Sequence, residues 1–283
     1  MEILYSINSI RTAVRALKAQ GKKVAFVPTM GALHEGHLSL IRLAKKHADE
    51  IVVSIYVNPE QFGPNDDFAS YPSKIEEDLD FCKKEGVSHV FIPDTEIMYG
   101  VGAKYFSIEI KELNKYLDGG SRPGYFQGIS LVVNKLFNIV EPDIAIFGQK
   151  DYQQFQVIQQ MVKEFNHDVE LIMAPIQRAE DGLALSSRNA YLSEEERAVA
   201  PELFKKMNQA IAGIQNGELE PEKLFKKYQE ELELIGFKND YFDVYSLEKM
   251  APVETLVKGE SYVLATAAYL GKARLIDNII FKC

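Results

Sequence analysis

The chain has 283 residues, a length sufficient for one large α/β domain or two smaller ones. Its residues are 46% hydrophobic and 26% charged, a composition that excludes a disordered chain. The formal net charge of -9 argues against nonspecific binding to nucleic acid or an anionic membrane, although a few cations can still make one cleft attractive to a small anion. The two cysteines, Cys82 and Cys283, are too few for a disulfide framework or a metal cluster and predict a reducing, cytoplasmic setting.

The first part of the chain alternates between helical and strand patterns. Residues 1–23 have the spacing of an amphipathic helix, clearest from Ser6 to Gln20, and lack the continuous apolar run of an export signal or a membrane span. The predicted strands that follow are Val24–Val27, Ile51–Val57, His89–Ile92, Ile144–Phe147 and Val169–Met173, and the predicted helices are Leu38–Lys46, Ile75–Glu85, Ile129–Val140 and Tyr152–Phe165. This alternation predicts a Rossmann-like open parallel sheet with helices on both faces and ligands at the carboxyl ends of its strands.

The pattern changes after Asn189. Helical stretches at Ser193–Gln215 and Pro221–Leu234 precede strand-like runs at Tyr241–Ser246, Tyr262–Ala267 and Leu275–Phe281. We therefore predict a Rossmann-like domain over residues 1–185 and a smaller C-terminal α+β domain over residues 186–283, joined by a hinge-like loop.

The strongest local motif, Pro28 to His37, leaves the first long predicted strand and opens the next helix. Backbone N–H groups and the positive end of a helix point at the ligand in such a turn, which suits phosphate, and His34 and His37 can add donors. A tight turn with two surface histidines is the plain alternative. Zinc is disfavoured, because the two histidines are one residue closer than in H-E-x-x-H and Gly36 weakens a helix there. We expect the remaining histidines, at positions 47, 89 and 167, on the surface or at a strand edge.

Two more loops carry side chains that suit phosphate. After the strand that ends at Phe147, Lys150 can neutralise phosphate charge and Asp151 can accept hydrogen bonds from a ribose, while Gly148 allows close approach to the backbone. Residues 181–189 place two serines beside an arginine, which suits a phosphoryl clamp. Taken singly, either loop could be an ordinary helix cap beside a solvated cation.

Two polar loops complete the set of candidate ligand-binding segments. Asn58 and Gln61 follow the second long predicted strand and offer neutral donors and acceptors to a small hydroxylated ligand. A glycine-rich loop over residues 119–126 precedes the helix predicted at Ile129–Val140. Such polar residues are common in loops, so they add weight only in combination.

The ordered set of motifs resembles the pantothenate synthetase (pantoate–β-alanine ligase) family of the nucleotidyl-transferase superfamily. The similarity extends over nearly the whole chain, through PTMGALHEGH (28–37), SIYVNPEQFG (54–63), YPSKIEEDL (71–79), GGSRPGYFQG (119–128), FGQKDYQQ (147–154), DGLALSSRN (181–189) and ARLIDN (273–278). The H-x-G-H motif alone would indicate only the wider superfamily.

The resemblance implies an enzyme, an ATP-dependent ligase of coenzyme A precursor biosynthesis. The carboxylate of (R)-pantoate would attack the α-phosphorus of ATP and release pyrophosphate, and the amine of β-alanine would then attack the pantoyl adenylate and release AMP. Positioning and electrostatic stabilisation of phosphoryl charge would supply most of the catalysis. The resemblance also implies Mg²⁺, a cytoplasmic homodimer without nucleic-acid or membrane partners, and a C-terminal lid that excludes water from the adenylate.

The family pattern also implies roles for individual residues. The catalytic set is His34, His37, Lys150 and Arg188, with His37 as the proton donor to pyrophosphate. The ATP site comprises Met30, Gly31, Ala32, Leu33, His34, Glu35, Gly36, His37, Gly148, Gln149, Lys150, Asp151, Gln177, Leu185, Ser186, Ser187 and Arg188. The pantoate and β-alanine site comprises Gln61 and Gln154, with Asn58 and Tyr71 nearby, and the candidates for one acidic Mg²⁺ ligand are Glu77 and Asp78.

The chain departs from the family pattern at a few positions. Gln149 stands where the family usually has Glu, and Tyr125 stands where it has His. Glu77 stands where Asp is frequent, and Gln177 stands where an apolar residue is usual. These departures affect metal ligation and the contacts to adenine. Two other functions stay open, a nucleotidylyltransferase that stops at the nucleotidyl product and a nucleotide-sensing module without turnover. A class I aminoacyl-tRNA synthetase is disfavoured by the acidic charge and the missing K-M-S-K-S motif.

Overall fold

The structure is a computed structural model that describes residues 1–63, 68, 71–102, 105–218 and 221–283. The chain is divided into two compact units. The first unit consists of Met1–Lys111, Arg122–Gln149 and Gln154–Pro175, and the second consists of Glu112–Ser121, Lys150–Gln153 and Ile176–Cys283. The strands are β1 (Glu2–Leu4), β2 (Val24–Thr29), β3 (Glu50–Ile55), β4 (His89–Phe91), β5 (Ile144–Gly148), β6 (Glu170–Ala174), β7 (Phe237–Ser246), β8 (Ser261–Leu270) and β9 (Ala273–Lys282). The helices are α1 (Ile7–Ala19), α2 (Glu35–Ala44), α3 (Ile75–Lys84), α4 (Thr95–Tyr99), α5 (Leu117–Ser121), α6 (Tyr125–Val140), α7 (Tyr152–Glu164), α8 (Glu194–Val199), α9 (Glu202–Gln215) and α10 (Pro221–Glu233). Among these described helices, none combines the length and the apolar character needed to cross a membrane.

A parallel sheet forms the centre of the first unit. Its described strands lie in the order β1-β4-β3-β2-β5-β6, and every neighbouring pair is parallel. The chain moves from β2 outward through β3 and β4 on one side and through β5 and β6 on the other, so the switch point of the topology lies between β2 and β5. Ligands of open α/β sheets bind beyond the carboxyl ends of the strands at such a point. The predicted fold class is confirmed.

The central strands are apolar because both faces of a parallel sheet are covered. Phe26 in β2 and Ile146 in β5 are fully buried. Asp143 joins the starts of these strands, because it accepts hydrogen bonds from the Val24 N–H at 2.8 Å and from the Lys18 ammonium at 2.8 Å. The amino ends of β2 and β5 are therefore held side by side.

The N-terminus differs from the prediction. Residues 2–4 form β1, paired with β4 in the register Ile3 to Val90, so the expectation that the helix includes them was wrong. Ser6 ends the extended segment as the N-cap of α1, with its hydroxyl accepting from the Ser9 N–H at 3.1 Å. A strand of this length is too short to show an alternating pattern, and helical spacing dominates the window.

Two other expectations also need correction. The stretch predicted as one helix over Ser193–Gln215 is divided into α8 and α9 at Pro201, because proline lacks an N–H and clashes with the preceding turn. His89 was expected at the surface or a strand edge, yet it lies in β4, which pairs on both sides, and burial lowers its pKa.

The second unit is built on an antiparallel sheet with the described strand order β7-β8-β9. Apolar side chains of α9 and α10, among them Met207 and Leu232, pack with Val244 and Leu264 of the sheet in one buried cluster. The small helix α5 also belongs to this unit. The predicted division between residues 185 and 186 stays a prediction.

Candidate active site

The Met30–His37 turn begins where β2 ends, and its backbone is unusual. Gly31 has φ +83° and Ala32 φ +50°, the left-handed region that favours glycine. A Cβ at Gly31 would lie 2.9 Å from Asp78 Oδ2, so a side chain has no room there. The Thr29 hydroxyl accepts from the Gly31 N–H at 3.2 Å and donates to the Ser54 carbonyl at 2.7 Å. The turn is thereby held against β3.

Asp78 of α3 holds the same turn from the other side. It is 1% exposed, and its carboxylate accepts from the Ala32 N–H at 2.9 Å and from the Leu33 N–H at 2.7 Å. Burial raises the pKa of the Asp78 carboxyl, and the two backbone hydrogen bonds oppose this shift. The structure therefore gives Asp78 a role in shaping the turn.

The two predicted metal ligands are each engaged by other groups. Glu77 is exposed and pairs with Lys74 at 2.9 Å, while Asp78 accepts the two backbone N–H groups. Among the residues that the structure describes, no group of three or more His, Cys, Asp or Glu side chains is arranged to hold a metal ion. Mg²⁺ ligation by either acid stays a prediction.

The hydrogen bonds of His34 and His37 determine which ring nitrogen carries the proton. His34 is the N-cap of α2, and its Nδ1 accepts from the Gly36 N–H at 3.1 Å. The Nδ1 of His37 accepts from the His34 N–H at 3.4 Å, and the ring centroids lie 4.3 Å apart. A neutral imidazole that accepts at Nδ1 has its proton on Nε2. Both rings therefore carry an Nε2–H donor at the N-terminus of a helix, a combination that suits an anion.

Asn58 is the N-cap of the short 3₁₀ turn that follows β3, and Gln61 ends that turn. Asn58 is 1% exposed, and its Nδ2 donates to Gln61 Oε1 at 3.1 Å. The Nε2 of Gln61 donates to Met30 Sδ at 3.0 Å. The structure therefore brings together three residues predicted for the ATP and pantoate sites.

The remaining predicted residues of the first unit are spread over its loops and helices. Gly148 ends β5, and Gln149 begins the 3₁₀ turn that follows. Tyr71 packs edge-on against Phe62, with ring centroids 5.8 Å apart. Glu35 forms an ion pair with Arg42 on α2. Gln154 lies in α7 and is partly buried.

In the second unit, Lys150 and Ser186 line the same recess, with Ala184, Asn189 and Asp277. The Ser186 hydroxyl accepts from the Arg188 N–H at 3.3 Å and caps the 3₁₀ turn Ser187–Tyr191. The capping role that served as the plain alternative is thus present, and a phosphate role for the serines stays a prediction. The structure does bring two of the three predicted phosphate loops together.

Strand β9 organises this recess. Asn278 Nδ2 donates to the Lys150 carbonyl at 2.9 Å. Asp277 is 4% exposed and accepts two hydrogen bonds from the Arg178 guanidinium, at 2.5 and 2.8 Å. Arg178 also donates to the Gly182 carbonyl at 3.1 Å. One strand therefore holds both the Lys150 loop and the segment that leads to Ser186.

The predicted site residues are divided between the two units. The first unit contains Met30–His37, Asn58, Gln61, Tyr71, Glu77, Asp78, Gly148, Gln149 and Gln154, and the second contains Lys150, Asp151, Gln177 and Leu185–Arg188. That both sets surround one triphosphate stays a prediction.

Three contributors were missed by the sequence reasoning. The turn-holding role of Asp78, the contact of Asn278 with Lys150 and the contact of Tyr99 with Asn58 each join residues far apart in the chain. The ARLIDN motif was a signal for Asn278, but it did not indicate what the side chain touches. Nothing in the local sequence singled out Tyr99.

A parallel sheet with an anion-suited, histidine-bearing turn at its switch point defines a Rossmann-like, nucleotide-binding class of protein. The family model for pantoate–β-alanine ligase matches residues 2–280. The pantothenate synthetase of Fervidobacterium nodosum is 46% identical over 283 residues and covers 100% of both chains. That of Carboxydothermus hydrogenoformans is 45% identical, over 100% of this chain and 99% of the relative.

Solved structures give the same result. The pantothenate synthetase of Thermus thermophilus superposes with a TM-score of 0.90 at 37% identity, over 99% of each chain. The pantoate–β-alanine ligase of Francisella tularensis, complexed with beta-gamma ATP and β-alanine, has a TM-score of 0.83 at 36% identity, over 99% of this chain and 97% of that one. The chain belongs to the pantoate–β-alanine ligase family and is an enzyme, as the resemblance implied.

Proposed function

We propose that the chain condenses (R)-pantoate with β-alanine through a pantoyl adenylate, using ATP and releasing AMP and pyrophosphate. The observation that carries this proposal is the pair of histidine rings at the N-terminus of α2, whose Nδ1 atoms accept backbone N–H groups and so assign the proton of a neutral ring to Nε2. A neutral donor pair at a positive helix end suits a phosphate chain that gains charge in the transition state. The beta-gamma ATP and β-alanine in complex with the Francisella tularensis relative support the same substrates.

In the proposed first step, a carboxylate oxygen of pantoate bonds to the α-phosphorus as the bond to the pyrophosphate oxygen breaks. His34 and His37 donate to phosphate oxygens through Nε2–H, and His37 is the proposed proton donor to the leaving pyrophosphate once its Nδ1 has taken up a proton in place of the hydrogen bond from the His34 N–H. Lys150 and Arg188 neutralise the developing charge, with Ser186 and Ser187 as hydroxyl donors.

The other predicted residues complete the proposed substrate sites. Gly148, Asp151 and Gln177 lie toward adenosine, and Gln61 and Gln154 bind pantoate. Mg²⁺ bound with ATP would neutralise phosphate charge, and Glu77 and Asp78 stay the candidates for its one acidic protein ligand. We also propose a cytoplasmic homodimer, as the family resemblance implies.

In the second step the amine of β-alanine attacks the adenylate carbonyl, and AMP leaves. Because a mixed anhydride hydrolyses readily, we propose that residues 186–283 act as a lid with a hinge near Ser186. Limited proteolysis of this segment should slow when ATP and pantoate are both present. Equal cleavage with and without substrates would contradict the lid.

Labelled substrates test the adenylate directly. With pantoate and no β-alanine, the enzyme should exchange labelled pyrophosphate into ATP, and ¹⁸O from the pantoate carboxylate should appear in AMP after β-alanine is added. Exchange supported by another acceptor, such as a phosphate ester, would instead show a nucleotidylyltransferase. ATP binding without turnover would show a nucleotide sensor.

Two variants test the proposed roles. His37→Ala and Lys150→Ala should each lower kcat for pyrophosphate release by about 100- to 1,000-fold, the effect of removing one preorganised donor. His47→Ala, at an exposed histidine of the first unit, is the matched control and should match the wild type. Near wild-type turnover in both site variants would contradict the assignment.

A further inference from the structure

The side-chain amide of Asn58 uses its full hydrogen-bonding capacity inside the protein. Its Oδ1 accepts from the Glu60 N–H at 3.2 Å and from the Tyr99 hydroxyl at 2.7 Å. Its Nδ2 donates to Gln61 Oε1 at 3.1 Å and to the Gly128 carbonyl at 3.2 Å. A primary amide has two acceptor sites and two donor hydrogens, so these described neighbours occupy all of them. These contacts give Asn58 a role inside the protein, and the direct contact with substrate that its loop position suggested stays a prediction.

Backbone groups determine which way the Asn58 amide faces. The Glu60 N–H can only donate and the Gly128 carbonyl can only accept, so the oxygen of Asn58 must face the first and its nitrogen the second. The close approach of these segments depends on Gly128, since a Cβ there would lie 1.9 Å from the Glu60 carbonyl oxygen. The orientation of Asn58 thus follows from the backbone of α6 and of the 3₁₀ turn.

The orientation of Asn58 in turn sets that of Gln61. Because Asn58 Nδ2 is a donor, the atom of Gln61 that faces it must be the acceptor Oε1. The Gln61 NH₂ group then faces the other way, toward the sulfur of Met30 at 3.0 Å. A thioether is a weak acceptor, which a carboxylate or hydroxyl oxygen of a ligand can readily replace.

We propose that Tyr99 and Asn58 are positioning residues that hold Gln61 as a hydrogen-bond donor toward an oxygen of the acid substrate. The inference rests on the proposed function, in which Gln61 binds pantoate. Tyr99 supplies the second hydrogen bond to Asn58 Oδ1. Burial raises the pKa of Tyr99 well above its ordinary value, so the phenol stays protonated and remains a donor at working pH.

Paired tyrosine variants test the role of the hydroxyl group. Tyr99→Phe should raise KM for pantoate about 3- to 10-fold, the effect of one neutral buried hydrogen bond, and leave KM for ATP unchanged. Tyr56→Phe is the matched control, because Tyr56 lies 6.5 Å from Tyr99 between ring centroids and its hydroxyl bonds Thr95 instead. The control should keep the wild-type KM for both substrates.

A double variant separates positioning from general support of the fold. If Tyr99 acts through Gln61, Tyr99→Phe should have no further effect on KM for pantoate once Gln61→Ala is present. An equal further increase would show that Tyr99 acts independently of Gln61 and would overturn the inference.

Asn58→Asp replaces the NH₂ donor of the side chain with an acceptor oxygen while keeping the size and shape of the side chain. The new carboxylate still accepts from Tyr99 but presents an oxygen to both Gln61 and the Gly128 carbonyl. The NH₂ group of Gln61 should turn toward this oxygen and leave Oε1 facing the substrate. KM for pantoate should then rise by more than about 30-fold, with KM for ATP retained. A wild-type KM for pantoate in either Tyr99→Phe or Asn58→Asp overturns the inference, whereas wild-type enzyme without pantoate-dependent turnover would overturn the proposed function itself.

Discussion

Replacing Asp78 with asparagine tests how the histidine turn is held. The carboxylate accepts two backbone N–H groups at 2.9 and 2.7 Å, and an asparagine amide can accept only with its oxygen while its NH₂ group faces the second N–H. One buried N–H is left without an acceptor, which costs about 1–3 kcal/mol, and the remaining bond loses its charged acceptor. Removing the buried charge offsets part of this cost.

We therefore expect Asp78→Asn to destabilise the protein by about 2 kcal/mol and to lower the melting temperature by about 5 °C. The turn carries His34 and His37, so its displacement should also lower kcat/KM for ATP, by about 100-fold if the rings move by about 1 Å. Differential scanning fluorimetry and pyrophosphate-release kinetics measure the two effects.

The neighbouring acid provides the matched control. Glu77 is exposed and pairs only at the surface with Lys74, so Glu77→Gln should change stability by less than about 0.5 kcal/mol. If Asp78 acted as a metal ligand instead, excess Mg²⁺ should restore the Asp78→Asn variant. Rescue by Mg²⁺ at an unchanged melting temperature would refute the structural reasoning.

Three further predictions concern acid stability, thiol reactivity and packing. Burial tends to raise the pKa of Asp143, but hydrogen bonds from a lysine and a backbone N–H outweigh burial and lower the pKa. In urea unfolding at pH 7, the free energy of unfolding of the wild type should therefore exceed that of Asp143→Asn by about 1 kcal/mol or less. This difference should vanish as the pH falls below about 4, because the carboxylate is then protonated. Burial raises the pKa of Cys82 to about 12. At pH 8 a thiol reagent should therefore label the native protein at Cys283 and react with Cys82 only after unfolding. Rapid labelling of both cysteines in the native protein would contradict the packing of α3. Gly128→Ala should destabilise by at least about 2 kcal/mol in urea unfolding, because its Cβ overlaps a backbone carbonyl, whereas Gly148→Ala, with its nearest atom 4.0 Å away, should not.

Much of the fold was predictable because its signals are local. The strands β2 and β5 are continuous apolar runs, and Ser6 and Pro201 are the kinds of residue at which helices begin or end. Pro201 was nonetheless overlooked within a longer periodic stretch. The strand β1 was missed because its three residues pair with β4, a partner that no local window contains.

The motifs of the site were visible in the sequence for the same reason. His34, His37, Lys150 and Ser186 each lie in a short stretch whose residue types suit an anion, and the order of these stretches indicated the family. Spacing along the chain carries this information because each loop follows a strand or precedes a helix.

What each side chain contacts was decided only by the tertiary structure. In the sequence Asp78 is one of several acids in the first turn of α3, yet folding brings its carboxylate to the backbone N–H groups of residues 32 and 33. The sequence suggested Asn58 as a ligand of the substrate, yet its amide is hydrogen-bonded to groups of residues 60, 61, 99 and 128. Hydrogen bonds act over about 3 Å of space whatever the separation in sequence. The sequence by itself therefore determined which chemical groups are present and which strand ends they lie near. The packing of α3, α4 and α6 around the sheet decided which of these groups contact the histidine turn and the Asn58 amide.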